Sequence, residues 1–96
     1  MPSYVFLVNW TDSGIRAVRD APARSEAFRR AVEAAGGHLL SILHTMGVYD
    51  LVVAAELPSD ETANQLALRT GQEGFVRTTT LKGWSASEFA ALVRTL

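Results

Sequence analysis

The chain has 96 residues, a formal net charge of −1 and no cysteine. This length predicts one domain over residues 1–96, in which folding buries roughly 60–65% of the surface of the unfolded chain, so that a partner subunit would add stability. The nearly balanced charge argues against binding to nucleic acid or to an anionic membrane. The lack of cysteine excludes disulfides, thiolate catalysis and sulfur-ligated zinc sites.

The N-terminal segment indicates a cytoplasmic protein. It has no basic region of the kind that opens a signal peptide, and its first apolar run ends at Val8. The longest apolar runs are too short to span a bilayer. We therefore expect a soluble protein in the cytoplasm.

The first third of the chain predicts a strand, a loop and a helix. Residues 4–10 are apolar on both faces and rich in β-branched and aromatic side chains, which favours a central strand. Residues 11–21 contain the turn signal Asp12-Ser13-Gly14 and indicate a polar loop. A helix then begins at residues 20–22 and ends at Gly36-Gly37. Its apolar positions recur at helical spacing: Ala27, Phe28, Ala31, Val32 and Ala35.

Residues 37–58 predict a β-hairpin. Two apolar runs, 38–45 and 49–57, flank Met46-Gly47-Val48, where glycine permits the positive φ that a turn needs. Counting outward from this loop pairs His44 with Asp50 and His38 with Glu56, and it places both histidines on one face of the sheet. Each pair of opposite charges would contribute about 0.2–1 kcal/mol. A slip of one residue would set both histidines against apolar neighbours.

The last forty residues predict a helix, a strand and a second helix. Ser59 caps the first of these helices, and Gly71 ends it. Residues 75–82 form a fourth strand whose weak alternation is typical of an edge. The run Ser85-Ala86-Ser87-Glu88 is a capping box. The final helix that follows carries apolar residues at Phe89, Leu92, Val93 and Leu96.

These elements predict an α+β fold of the ferredoxin-like, split β-α-β type. The order β-α-β-β-α-β plus a C-terminal helix gives a four-stranded antiparallel sheet with the first and third strands in the middle. Its helices would cover one face only. The other face keeps leucine, isoleucine and valine in any register, so we expect another subunit to cover it.

Several short motifs occur together along the chain. The hairpin carries Gly47, Tyr49 and Asp50, followed by an apolar strand that ends in Leu57-Pro58. The other motifs are Tyr4-Val5-Phe6-Leu7, Trp10-Thr11, Gly14-Ile15, Pro22-Ala23-Arg24, Val76-Arg77-Thr78 and Thr80-Leu81. Together these motifs resemble the GYD-domain family of small bacterial proteins. The resemblance implies a ferredoxin-like fold that pairs into a dimeric α+β barrel, and it implies no settled activity.

A candidate ligand site lies where the first strand ends. Trp10 and Thr11 close that strand, and Arg16 and Arg24 follow it in the loop and the helix. Arg77 would join them from the adjacent fourth strand. Strand ends and helix N-termini collect ligands, and arginine favours a carboxylate or a phosphate. The alternative is that these arginines form a solvated surface or peripheral ion pairs.

A candidate catalytic group comprises His44, Tyr49 and Asp50. His44 could act as a general base oriented by Asp50, and the Tyr49 phenol could donate a proton. The structural alternative, which we favour, is a cross-strand ion pair, a packed tyrosine and an aspartate that binds turn amides. His38 and His44 lie roughly 20 Å apart along one strand, so they cannot share a metal ion within a subunit. We predict no metal site.

Three functions remain open at this stage. The first is an oligomeric module that binds a small, anionic molecule; the second is a cofactor-independent oxygenase or isomerase; the third is a structural or regulatory interaction domain. The chain lacks a glycine-rich phosphate loop and a nucleophile elbow. We therefore predict no cofactor, and we expect self-association, with the small molecule as the other partner.

Overall fold

The computed structural model describes residues 1–96 as a four-stranded sheet with helices. The strands are β1 (Ser3–Trp10), β2 (His38–His44), β3 (Leu51–Glu56) and β4 (Val76–Gly83). The helices are α1 (Asp12–Arg16), α2 (Ala21–Ala34), α3 (Asp60–Gln72) and α4 (Ala86–Val93), with a 3₁₀ turn at Val18–Asp20. None of these helices combines the length and apolar character that a membrane crossing requires.

The sheet confirms the predicted topology. Its order is β2-β3-β1-β4 and every pair is antiparallel, with β1 and β3 at the centre and β4 at an edge. Central β1 aligns Phe6 with Val53 of β3 and with Thr80 of β4. The antiparallel pairing places the end of β1 beside the start of β4, where Trp10 pairs with Val76 and Asn9 pairs with Arg77.

The core lies between one sheet face and helices α2 and α3. Alternate residues of β1 and β3 are buried on that face, because neighbouring side chains in a strand point to opposite sides. Val32 of α2 and Leu66 of α3 complete the same cluster. The Phe6 and Phe28 rings meet edge to face, with centroids 5.7 Å apart. The predicted covering of a single face by these helices is confirmed.

A β-bulge at Leu40 shifts the predicted register of β2. His38 pairs with Glu56 as predicted, but the shift between Leu39 and Ser41 sets His44 opposite Leu51. The prediction that His44 faces Asp50 is therefore wrong. Leu39 and Ile42 both pack against the core, although residues three apart in a regular strand point to opposite faces. The extra residue resolves this conflict and places the two histidines on opposite faces of the sheet.

The predicted loop over residues 11–21 is helical for most of its length. Thr11 caps α1 by accepting a hydrogen bond from Gly14 N at 3.1 Å. Gly14 is required here because a Cβ would lie 1.9 Å from the Phe75 carbonyl oxygen. A short helix therefore packs directly against the loop that leads into β4.

The end of the second predicted helix lies further along the chain. Gly71 is inside α3, which continues to Gln72. Gly74 has φ +86° and makes the turn instead. At the end of α2, Gly36 has φ +84° as predicted for a helix stop.

α4 begins with the predicted capping box. Ser85 Oγ accepts from Glu88 N at 3.2 Å, and Ser85 N donates to Glu88 Oε1 at 2.9 Å. No residue of the helix is buried. α4 shares no extensive contact with any other element.

A hydrogen-bonded group fastens the start of α3 to the sheet. Tyr4 Oη donates to Asp60 Oδ1 at 2.5 Å, and Lys82 Nζ lies 3.0 Å from the same oxygen. Burial, and next the bond to Asp60, raises the pKa of Tyr4 to about 12. The bond from Tyr4, followed by the one from Lys82, holds the pKa of Asp60 below its usual value. The neutral phenol and the charged carboxylate therefore stabilise the folded state.

Tyr4→Phe should lower the free energy of unfolding by about 1–2 kcal/mol at neutral pH, because the bond to a charged group is lost. The pKa of Tyr4 rises from 10.0 in the unfolded chain to about 12 in the folded protein. Its contribution is complete below pH 10 and is lost as the pH rises towards 12. Urea unfolding from pH 8 to pH 12 should show this loss in the wild type and in the Tyr49→Phe control, but not in Tyr4→Phe. Identical profiles for all three proteins would contradict the assignment.

Candidate functional site

A cavity of about 220 Å³ lies between the sheet and helices α2 and α3. All four strands and both helices contribute to its wall. It forms because α2 packs mainly over β2 and α3 mainly over β4, which leaves space between the two helices above the centre of the sheet. An engineered apolar cavity of about 150 Å³ accommodates benzene, so this cavity has room for a small organic molecule.

The wall of the cavity is mainly apolar. Fourteen of the 21 lining residues are hydrophobic. Four aromatic side chains contribute to it: Phe6, Trp10, Phe28 and Phe75. A wall of this kind gains free energy by removing apolar ligand surface from water, at about 25 cal/mol per Å².

Polar side chains contribute the remainder of the wall. His44 Nε2 and Ser25 Oγ lie 3.1 Å apart, within hydrogen-bonding distance. The other polar residues of the wall are Arg24, Arg69, Thr70, Glu73 and Thr78. The Thr70 hydroxyl donates to the Leu66 carbonyl of its own helix, so it is already occupied. Two arginines and one carboxylate give this wall a positive balance.

Two of the predicted ligand-binding residues reach the cavity. Trp10 lines it from the end of β1, and Arg24 lines it from the first turn of α2. Arg24 Nη2 donates to the Ala17 carbonyl at 3.2 Å. Its guanidinium lies 4.5 Å from the centroid of the Phe75 ring. These contacts fix the Arg24 side chain beside the aromatic part of the wall.

The other three predicted ligand-binding residues lie outside the cavity wall. Thr11 Oγ1 donates to the Gly74 carbonyl and accepts from Gly14 N, so its hydroxyl connects the start of α1 to the segment before β4. Arg16 is exposed in the last turn of α1. Arg77 pairs with Asn9 and alternates with two β4 residues that do line the cavity.

The structure separates the three candidate catalytic residues. Only His44 lines the cavity, because the bulge turns it towards the helices. Asp50 Oδ2 accepts from Trp10 N at 2.9 Å, and Asp50 N donates to the Val8 carbonyl at 2.8 Å. The Tyr49 carbonyl accepts from Thr45 Oγ1 at 2.6 Å. Asp50 and the Tyr49 backbone thus hold the hairpin and fasten it to the end of β1.

The preceding glycine of the motif also shapes the hairpin. Gly47 has φ +115°, which L side chains rarely adopt. The bond from Thr45 N to the Asp50 carbonyl, at 2.9 Å, closes the loop around it. Gly47 and Asp50 are therefore explained by backbone geometry.

Sequence reasoning missed Ser25, Phe75 and Arg69 as parts of one site. They come from α2, the segment before β4 and α3, so no local spacing connects them. The place of Phe75 in the site could have been predicted, because a residue directly before the edge strand β4 adjoins the end of β1. The place of Ser25 could not have been predicted, because its closeness to His44 depends on the bulge.

Comparison with solved structures supports the fold. The crystal structure of the protein TTHA0845 from Thermus thermophilus has a TM-score of 0.55 and 22% sequence identity to this chain. The likeness covers 90% of this chain and 96% of that one. At this identity the likeness concerns the fold alone. A search of the curated proteins finds no match.

Comparison with protein families gives a match over nearly the whole chain. The model described as the GYD domain matches residues 4–93. This span includes the cavity wall, the hairpin with Gly47 and Asp50, and nearly all of the four strands. The predicted resemblance is thereby confirmed, and the chain belongs to the GYD domain family.

Proposed function

We propose that this small α+β protein is a binding module for a compact, mainly apolar organic molecule that carries one anionic group. The observation that supports the proposal is the cavity of about 220 Å³ between sheet and helices. Its aromatic wall would take the apolar body of the ligand. Its arginines and the Ser25 hydroxyl would take the polar end.

The charge of the ligand follows from the surroundings of the polar wall. Arg24 and Arg69 outnumber the single acid there, Glu73. Ala21, the first residue of α2, also lines the cavity, so the positive end of that helix dipole adds to the field. A carboxylate is therefore favoured over a cationic group of the same size.

Self-association is part of this proposal. The sheet face opposite the helices carries Val5, Leu7, Val52 and Ala54 at its centre, on the two middle strands. A second copy of the chain placed on this face would remove these side chains from water. The cavity lies on the other side of the sheet, so it stays accessible in such a dimer.

Filling the cavity should weaken ligand binding. Ala27 of α2 lines the cavity, whereas Ala23, one turn earlier, does not. Ala27→Leu should weaken the binding of benzoate about tenfold, or about 1.4 kcal/mol, while Ala23→Leu binds as the wild type does. The measurement is an NMR titration of ¹⁵N-labelled protein. Absence of benzoate binding to the wild type, or equal affinities in both variants, would contradict the cavity as the binding site.

Removing one arginine should affect only anionic ligands. Arg69 lines the cavity, and Arg30 of α2 does not. In the same titration, Arg69→Gln should weaken benzoate binding several-fold and leave the binding of benzyl alcohol unchanged, because the alcohol has no charge to lose. Arg30→Gln serves as the matched control. A similar loss for both ligands would show that Arg69 shapes the cavity and does not recognise charge.

One observation favours a second candidate, an isomerase-type activity. His44 faces the cavity with Ser25 at 3.1 Å, so its imidazole could remove a proton from a carbon next to a ligand carbonyl and return it. Deuterium exchange into phenylacetone in D₂O, followed by NMR, tests this step. The wild type should accelerate the exchange and His44→Gln should not. Equal rates for the two proteins would remove His44 from the chemistry.

A further inference from the structure

The C-terminal helix α4 is well formed but has no packing partner within the chain. Its capping box satisfies the first backbone amides, and no other element makes extensive contact with it. An isolated helix of eight residues is unstable in water. α4 therefore needs an apolar surface to pack against.

The side chains of α4 match such a surface. Phe89, Leu92 and Val93 are 58%, 46% and 48% exposed, and they share one side of the helix by their i, i+3, i+4 spacing. Trp84, two residues before the helix, is 54% exposed. An exposed cluster of large apolar residues marks an interaction site.

The open face of the sheet provides complementary apolar area. Leu43 of β2 and Leu81 of β4 lie on this face, at its two sides, with 59% and 47% of their surface exposed. Leu81 pairs with Val5 of the central strand, so the apolar surface continues across the sheet. α4 follows β4 after only Trp84 and Ser85, so the helix starts close to the end of this edge strand.

The chain exposes more surface than a compact monomer of its mass. A folded 10.4 kDa protein exposes about 5,400 Å², whereas this chain exposes 6301 Å². The difference of about 900 Å² matches the area of about 800 Å² that each partner buries in a standard interface. The radius of gyration, 14.2 Å, also exceeds the value of about 12.5 Å for a compact chain of this length.

We infer that α4 is an arm that each chain lays on a second copy of itself, at the apolar open face of that copy's sheet. The inference rests on the proposed self-association and adds the element that completes it. A two-fold axis satisfies both helices at once, because the same surface of each chain meets the α4 of the other. The excess area is of the size that a second copy of the chain would bury.

Sedimentation equilibrium of three variants tests the inference. Leu92→Lys places a charge on the apolar side of α4, and Leu43→Lys places one on the open sheet face. Each should weaken the dimer about thirtyfold or more. Ala91→Lys places the same charge on the opposite, exposed side of α4 and should leave the dimerisation constant unchanged.

The outcomes separate the arm from the proposed self-association. A monomeric wild type at micromolar concentration overturns both. A dimer that Leu43→Lys weakens and Leu92→Lys does not would overturn the arm and leave the sheet contact. Isotope-filtered NOEs in a mixture of labelled and unlabelled chains should connect the Phe89 ring to the other chain. If such NOEs occurred only within one chain, α4 would cover its own sheet and the inference would be wrong.

Discussion

The bonds of Asp50 fix the end of the sheet on which the candidate site depends. Its amide bonds to Val8 in β1, its carbonyl accepts from Thr45 after β2, and its carboxylate accepts from Trp10 N. Three strands thus meet at one residue. A backbone amide aimed at a carboxylate forms a stronger bond than one aimed at a neutral acceptor, so the direction of the chain after Trp10 is set there.

The position of the cavity wall follows from that direction. Thr11 comes next and bonds through its amide and its hydroxyl to Phe75 and Gly74. Gly14 then contacts the same loop closely enough to exclude any side chain. The Phe75 ring is held where Arg24 lies over it. Trp10, Thr11 and Gly14 belong to the motifs that carry the family resemblance. They position the cavity wall through the backbone, and of the three only Trp10 lines the cavity.

The elements of the fold could be predicted because each has its own apolar period or cap. The bulge could not, since Leu39 and Leu40 are equally apolar and only the pairing with β3 selects Leu39 for the core. This one residue decides the direction of His44, and hence its contact with Ser25. Trp10 and Arg24 could be predicted as neighbours because a strand end and the following helix adjoin. Arg69 could not, because its place depends on how α3 lies across the sheet.

The bulge also protects the outer edge of the sheet. β2 is an edge strand, and an extra residue interrupts the even spacing of the amides and carbonyls that it presents to solvent. A strand from another molecule therefore cannot pair along its full length. At the opposite edge, β4 carries Arg77 and Lys82, charges that oppose strand addition. Because both edge strands resist pairing with a further strand, the chain can keep a broad apolar face without forming fibrils by strand addition.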